Sequence, residues 1–198
     1  MKAEPIATLP GRKVLLCVCG GIAAYKAADL VRRLRDAGAQ VRVAMTDNAQ
    51  RFVGAQTFQA LSGEPVRTSL WDAHAEAAMG HLELARWADQ VVLAPATANT
   101  LAKLAHGFAD DLVSTLCLAT TAPLTIAPAM NHRMWRHPAT QANVATLSQR
   151  GVRQVGPDDG PLAEGESGPG RMAEPAAIVE ALAARDAATR ATTQGAPR

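Results

Sequence analysis

The sequence is short of several things, and each shortage excludes a class of protein. Cysteine is scarce, with only Cys17, Cys19 and Cys117 in 198 residues. An odd number of thiols without an export signal makes no disulfide framework and points to a reducing cytoplasm. Charge of one sign is missing too, since 20 basic and 18 acidic residues leave a net +2. So small and dispersed a balance speaks against nucleic acid or an anionic membrane as partner. There is no long apolar run. "VLLCVC" and "VVLAPA" have strand length and are too short to span a bilayer. The opening "MKAEPIATLPGRKVLL" has neither the apolar core nor the cleavage site of a signal peptide. No internal repeat is visible, and no His or Cys spacing matches a metal site.

What is present is an alternation. Buried-strand runs occur at 13–19, 40–46, 90–95, 123–129 and 151–156. Helical patterns fill 22–37, 48–61, 81–88, 97–105, 110–119, 138–150 and 174–187. Strands alternating with helices predict a parallel sheet covered on both faces: a three-layer, doubly wound, Rossmann-like α/β domain. The length suits one domain over 1–187, with 188–198 a disordered tail or linker.

Ligands in such sheets bind beyond the carboxyl ends of the strands. The segments that follow each strand are therefore the candidates. Gly20-Gly21-Ile22 joins a strand to a helix, so backbone amides can approach an anion. It is not the G-x-G-x-x-G fingerprint and equally suits a plain tight turn. Thr97-Ala98-Asn99-Thr100 places three small polar side chains at a helix start, where phosphate binding and ordinary capping both fit. Thr46-Asp47-Asn48 follows the second strand and can be a cap or a contact. "PAMNHRMW" (128–135) puts Ala129, Met130 and Asn131 at a strand end, and an Asn there can hold a carboxylate. His81 opens a short amphipathic helix, and "ADD" (109–111) reads as the cap of the next helix. Residues 156–173, rich in Gly and Pro and without helix or strand character, read as a lid.

Taken in order, "GGIAAYK", "HLELARWAD", "APATANTLAKLAHGFADDL", "PAMNHRMW" and "GPGRMAEP" resemble the homo-oligomeric flavin-containing cysteine decarboxylases. The likeness runs from about Lys13 to Pro175 and favours the branch acting on phosphopantothenoylcysteine in coenzyme A synthesis. The resemblance implies a flavodoxin-like fold, FMN at a subunit contact, and homotrimers or homododecamers. It also implies a separate or fused ligase that makes the substrate. By resemblance, Gly20, Gly21, Ile22, Thr46, Asp47, Asn48, Thr97, Ala98, Asn99, Thr100 and Ala129 meet FMN. His81 matches the active-site histidine, and Asn131 the residue that holds the substrate carboxylate. Met130, Ala163, Gly165, Arg171 and Met172 match the substrate-binding wall and flap. The implied chemistry is oxidation at the thiol-bearing carbon, loss of CO2 onto the resulting C=S group, then reduction and protonation.

Two positions depart from the family pattern. Cys17 and Cys19 stand where glycine and Ser or Thr are usual. Glu164 stands where the flap carries its proton-donating cysteine. Three outcomes are open. A protonated Glu164 donates the proton, the reaction stops at the enethiol, or Glu164 is a solvated residue without a role. A non-catalytic flavin-binding regulatory subunit is another alternative, and the presence of His81 and Asn131 speaks against it; a flavin prenyltransferase sharing the fold is a further one, which "HLEL" and "PAMNHRMW" do not suit.

Overall fold

The computed structural model describes residues 7–71, 80–163 and 165–194. Five parallel strands form the sheet: β1 (Lys13–Val18), β2 (Gln40–Met45), β3 (Gln90–Ala96), β4 (Leu124–Pro128) and β5 (Arg153–Gln154). Their order is β2-β1-β3-β4-β5. The chain leaves β1 toward one edge and returns past it to β3, so the crevice between β1 and β3 is the switch point of the topology.

The sheet is apolar on both faces because helices cover both. Successive β1 residues divide between two cores, as the two-residue strand period requires. Leu16 and Val18 pack with Leu30, Val31 and Leu34 of α1 (Ala24–Asp36) and with Ile178 and Leu182 of α8 (Pro175–Gln194). Leu15 and Cys17 face Leu84 of α3 (Gly80–Trp87), Leu101 of α4 (Ala98–His106) and Leu116 of α5 (Leu112–Ala119). Every residue of β3, the central strand, is buried. A fully buried Leu contributes about 2 kcal/mol of transfer free energy, so these two layers carry most of the stability.

Several expectations shift at their boundaries. The 48–61 segment is two pieces, a 3-10 turn at Ala49–Arg51 and α2 (Ala55–Ser62). Gly54 between them is extended, with ψ 144°, and a glycine gains little from helix formation. The helix expected from Ile22 starts at Ala24, leaving Ile22 66% exposed. A short helix, α6 (His132–Arg136), precedes α7 (Pro138–Gln149). The tail expected from 188 is helical as far as Gln194.

The largest correction concerns the glycine-rich segment. It contains an antiparallel hairpin of β6 (Asp158–Pro161) and β7 (Ser167–Arg171). "DDGP" and "SGPGR" carry no strand propensity. Pairing there depends on backbone hydrogen bonds and on docking: the Met130 amide donates to the Gly170 carbonyl at 2.9 Å. Propensity is weak beside such tertiary context.

Candidate active site

The loops after β1, β2, β3 and β4 open onto one cavity of about 1220 Å³ at the switch point. Its floor is Gly20, Gly21 and Ile22. Thr46, Asp47 and Asn48 form one side, and Thr97, Ala98, Asn99 and Thr100 the other, with Ala129 beside them. All of the residues expected around the cofactor therefore share one lining. Gly20 is required there, because a β carbon would collide with the Asn48 side chain and backbone. The loop after β1 can approach the loop after β2 only without a side chain at that position.

Two helices aim their N-termini at this cradle. Thr97 caps α4, its Oγ1 accepting from the Thr100 amide at 3.3 Å and lying 3.1 Å from the Thr100 hydroxyl. The first turn of α1 has no side-chain cap, and neither helix carries an acid in its first turn. The positive ends of both helix dipoles are left for an external anion.

Behind the cradle lie the thiols. Cys17, Cys19 and Cys117 are buried and free. Burial pushes the Cys19 thiol up to about 12, against the opposing pull of a Thr100 hydrogen bond. A hydrogen bond with Cys117, then burial, raises Cys17 well above the ordinary range. Both remain neutral packing groups at physiological pH.

The opposite end of the cavity is covered by the hairpin. Pro161, Leu162 and Ala163 roof it, and Gly170, Arg171 and Met172 form its wall above Met130 and Asn131. Asn131 caps α6, its Oδ1 accepting from the Arg133 amide at 2.7 Å, so the NH2 is the donor end of the side chain. Lys26 closes the far corner. Its ammonium meets Glu174 at 2.7 Å and the Met172 carbonyl at 3.3 Å, and it lowers the pKa of the Glu174 carboxyl.

Within the cap expected at 109–111, Asp111 is the capping residue. It forms a capping box with Ser114 and pairs with Lys103 at 2.6 Å. Burial pushes its carboxyl up, but the Lys103 and Ser114 hydrogen bonds outweigh burial and hold it below the usual range.

Two expected site residues lie elsewhere, and a third is not among the described residues. His81 is half-buried in the first turn of α3 and does not line the cavity. Gly165 sits in the hairpin turn with φ 86°, outside the lining. Glu164 lies outside the described residues. Lining residues absent from the sequence-based set include Lys26, Arg51, Lys103 and Met134. Helical spacing could have found two of them. Lys103 stands four and three residues beyond Asn99 and Thr100, and Met134 three beyond Asn131.

A family model described as flavoprotein matches residues 3–186. The chain belongs to the flavoprotein family. Among curated relatives of this flavoprotein domain, the coenzyme A biosynthesis bifunctional protein CoaBC of Escherichia coli is 57% identical over 173 residues. That match covers 87% of this chain and 43% of the relative. The protein of the same name from Bacillus subtilis is 49% identical over 172 residues, covering 87% and 42%. The chain thus spans less than half the length of these relatives. A solved structure of a mutant PPC decarboxylase complexed with pantothenoylaminoethenethiol matches with a TM-score of 0.80 and 32% identity. It covers 89% of this chain and 99% of that one. SpaF, an FMN-dependent cysteine decarboxylase, matches with a TM-score of 0.73 and 32% identity over 91% and 99%.

Among the described residues, no group of three or more His, Cys, Asp or Glu side chains could hold a metal. No helix among them is long and apolar enough to cross a membrane.

Proposed function

We propose that this chain is an FMN-dependent decarboxylase converting 4′-phosphopantothenoylcysteine to 4′-phosphopantetheine in coenzyme A biosynthesis, in the cytoplasm. The reading is carried by one continuous cavity that joins the anion cradle to Asn131 beneath the hairpin. Such a cavity is larger than a single drug-sized ligand needs and has room for a mononucleotide and a substrate together.

The residues present fit FMN. Gly20 lets the loop after β1 lie against Asn48, both glycines line the cavity, and the helix starts at Ala24 and Ala98 suit an anion. Thr97 and Thr100 would hold the phosphate through hydroxyls and amides, with Thr46, Asp47, Asn48 and Ala129 bordering the ring. When bound, this cofactor supplies the reversible two-electron oxidation that gives a cysteinyl carboxylate its missing electron sink.

The chain's own groups would do the rest. The Asn131 NH2 would donate to the substrate carboxylate and fix it for departure. Met130, Ala163, Arg171 and Met172 would wall the substrate compartment, with Gly165 allowing the turn above it, so that water is excluded while charge moves. His81 would position or deprotonate the substrate thiol-bearing end during oxidation. It would do so from a neighbouring protomer of a homotrimer or a larger assembly. Ile22, Tyr25 and Met134 border the cavity and are 66%, 62% and 51% exposed, an apolar rim suited to a second copy. The substrate would come from a phosphopantothenate–cysteine ligase, fused or separate.

A second reading stops at the enethiol. It is favoured by Glu164 at the usual cysteine position and by the burial of Cys17, Cys19 and Cys117 away from the hairpin. The two products differ by two hydrogen atoms and separate by mass. Flavin-loaded protein is expected to release CO2 from the substrate and yield the saturated thiol. If loaded protein leaves the substrate intact, the decarboxylase reading fails. If only the enethiol forms and Glu164→Cys restores the saturated product, the second reading holds.

A further inference from the structure

The hairpin is held at its two ends by different means. Near the sheet, the contact is backbone: the Met130 amide donates to the Gly170 carbonyl at 2.9 Å, and a β carbon at Gly170 would strike the Met130 carbonyl. At the tip, the contact is a side chain. The Glu166 Oε1 accepts from Arg133 Nη2 at 2.5 Å, and its Oε2 faces His132 Nδ1 at 3.3 Å.

Both partners of Glu166 belong to α6, whose cap is Asn131. Glu166 also shares the tip with the cavity roof. The Leu162 amide donates to the Glu166 carbonyl at 2.8 Å, and the Gly165 amide to the Leu162 carbonyl at 3.0 Å. Leu162 lines the cavity beside Pro161 and Ala163. A force on the Glu166 carboxylate therefore moves the roof, and its anchor is the helix that orients Asn131.

We propose that Glu166 is a positioning residue: by latching the hairpin tip to Arg133, beside His132, it sets the closed height of the roof over Asn131. The Arg133 side chain is 76% exposed and that of Glu166 39%, so solvent weakens the pair and the latch opens easily. Weakness suits a flap that must admit substrate and release product on each turnover. The His132 side chain is only 14% exposed and lies against Gly168 of β7, which steers the carboxylate to one seat. The link to substrate binding rests on the decarboxylase reading; the latch itself does not.

The test is amide hydrogen exchange on the full flavin-loaded chain, comparing wild type with Glu166→Ala, Glu166→Gln and the reversed pair Glu166→Arg with Arg133→Glu. Glu166→Ala is expected to speed exchange at Leu162 and Gly165 about fivefold, with β1 and β3 unchanged. Glu166→Gln should fall between it and wild type. The reversed pair should return the tip to within about twofold of wild type. Tip exchange within about twofold of wild type in Glu166→Ala overturns the latch, as does an equal rise in β1 and β3. Steady-state kinetics then read the consequence. KM for the substrate is expected to rise about fivefold in Glu166→Ala with kcat changed less. A fall in kcat alone would overturn the positioning role. A wild type that releases no CO2 would fail the decarboxylase reading while the exchange result still decides the latch.

Discussion

Gly20 stands so close to Asn48 that a β carbon on the first would overlap the β carbon of the second. This contact locks the loop after β1 to the loop after β2 at the floor of the cavity. Gly20→Ala should force the loops apart. Overpacking of this kind costs about 1–3 kcal/mol, which for a chain of this size lowers Tm by roughly 2–12 °C. The ratio of flavin to protein absorbance should fall with it. A variant that purifies with the wild-type ratio would show that the loop contact is not needed for the cradle.

Thr97 is predicted to act twice, as helix cap and as ligand. Thr97→Ala removes the acceptor for the Thr100 amide and should cost about 1 kcal/mol in denaturant unfolding of the flavin-free protein. Thr97→Ser keeps the oxygen and should restore most of that stability. Flavin affinity, measured by fluorescence titration, should follow the same order.

Gly170→Ala should lift β7 from Met130. The loss of that backbone hydrogen bond is worth about 1 kcal/mol, and substrate KM should rise about fivefold. Flavin content should stay at the wild-type level, because the cradle is at the other end of the cavity. Reduced flavin content instead would mean that the hairpin supports cofactor binding.

Asp111 has a folded pKa below its unfolded value, so its contribution is complete above the ordinary carboxylate range. That contribution should disappear as pH falls through the lowered folded value. Asp111→Asn loses the charge-assisted contact with Lys103, so the variant should be less stable near neutrality by about 1 kcal/mol. Once pH is below that lowered folded value, the two proteins should converge. Urea midpoints measured across this range check the sign, and a gap that widens toward low pH would contradict it.

His81→Asn should retain flavin and lower CO2 release by about a hundredfold or more, the usual scale for losing a proton-transfer group. His81 lies off the cavity of its own chain. Mixing the inactive His81→Asn and Asn131→Ala variants under subunit exchange should therefore recover part of the activity. Recovery of none would place His81 and Asn131 in the same chain's site.

The α/β alternation was legible because both sheet faces are covered, which makes each strand a continuous apolar run. β1 and β3 show this best, being almost wholly buried. That the segments expected around the cofactor would meet was legible for a related reason: a parallel sheet puts every strand's carboxyl end at one edge. Gly20, Thr46, Thr97 and Ala129 did meet in one lining. The hairpin was not legible. β6 and β7 hold few side chains suited to a strand, and their pairing follows from docking on Met130. The break at Gly54 and the extension of α8 to Gln194 were missed on a smaller scale, where local signals are weak.

The layers, the order of motifs and the sheet edge at which the candidate site lies are written into the local pattern of the chain, because burial period and strand polarity are local properties. The distances between those motifs come from the packed fold alone. It set Gly20 against Asn48, brought Gly170 over Met130, and seated Glu166 on Arg133. It also left His81 outside the cavity in which the resemblance had put it. Each of these joins segments far apart in the chain, and such contacts are fixed by packing across the sheet edge, which no local pattern records.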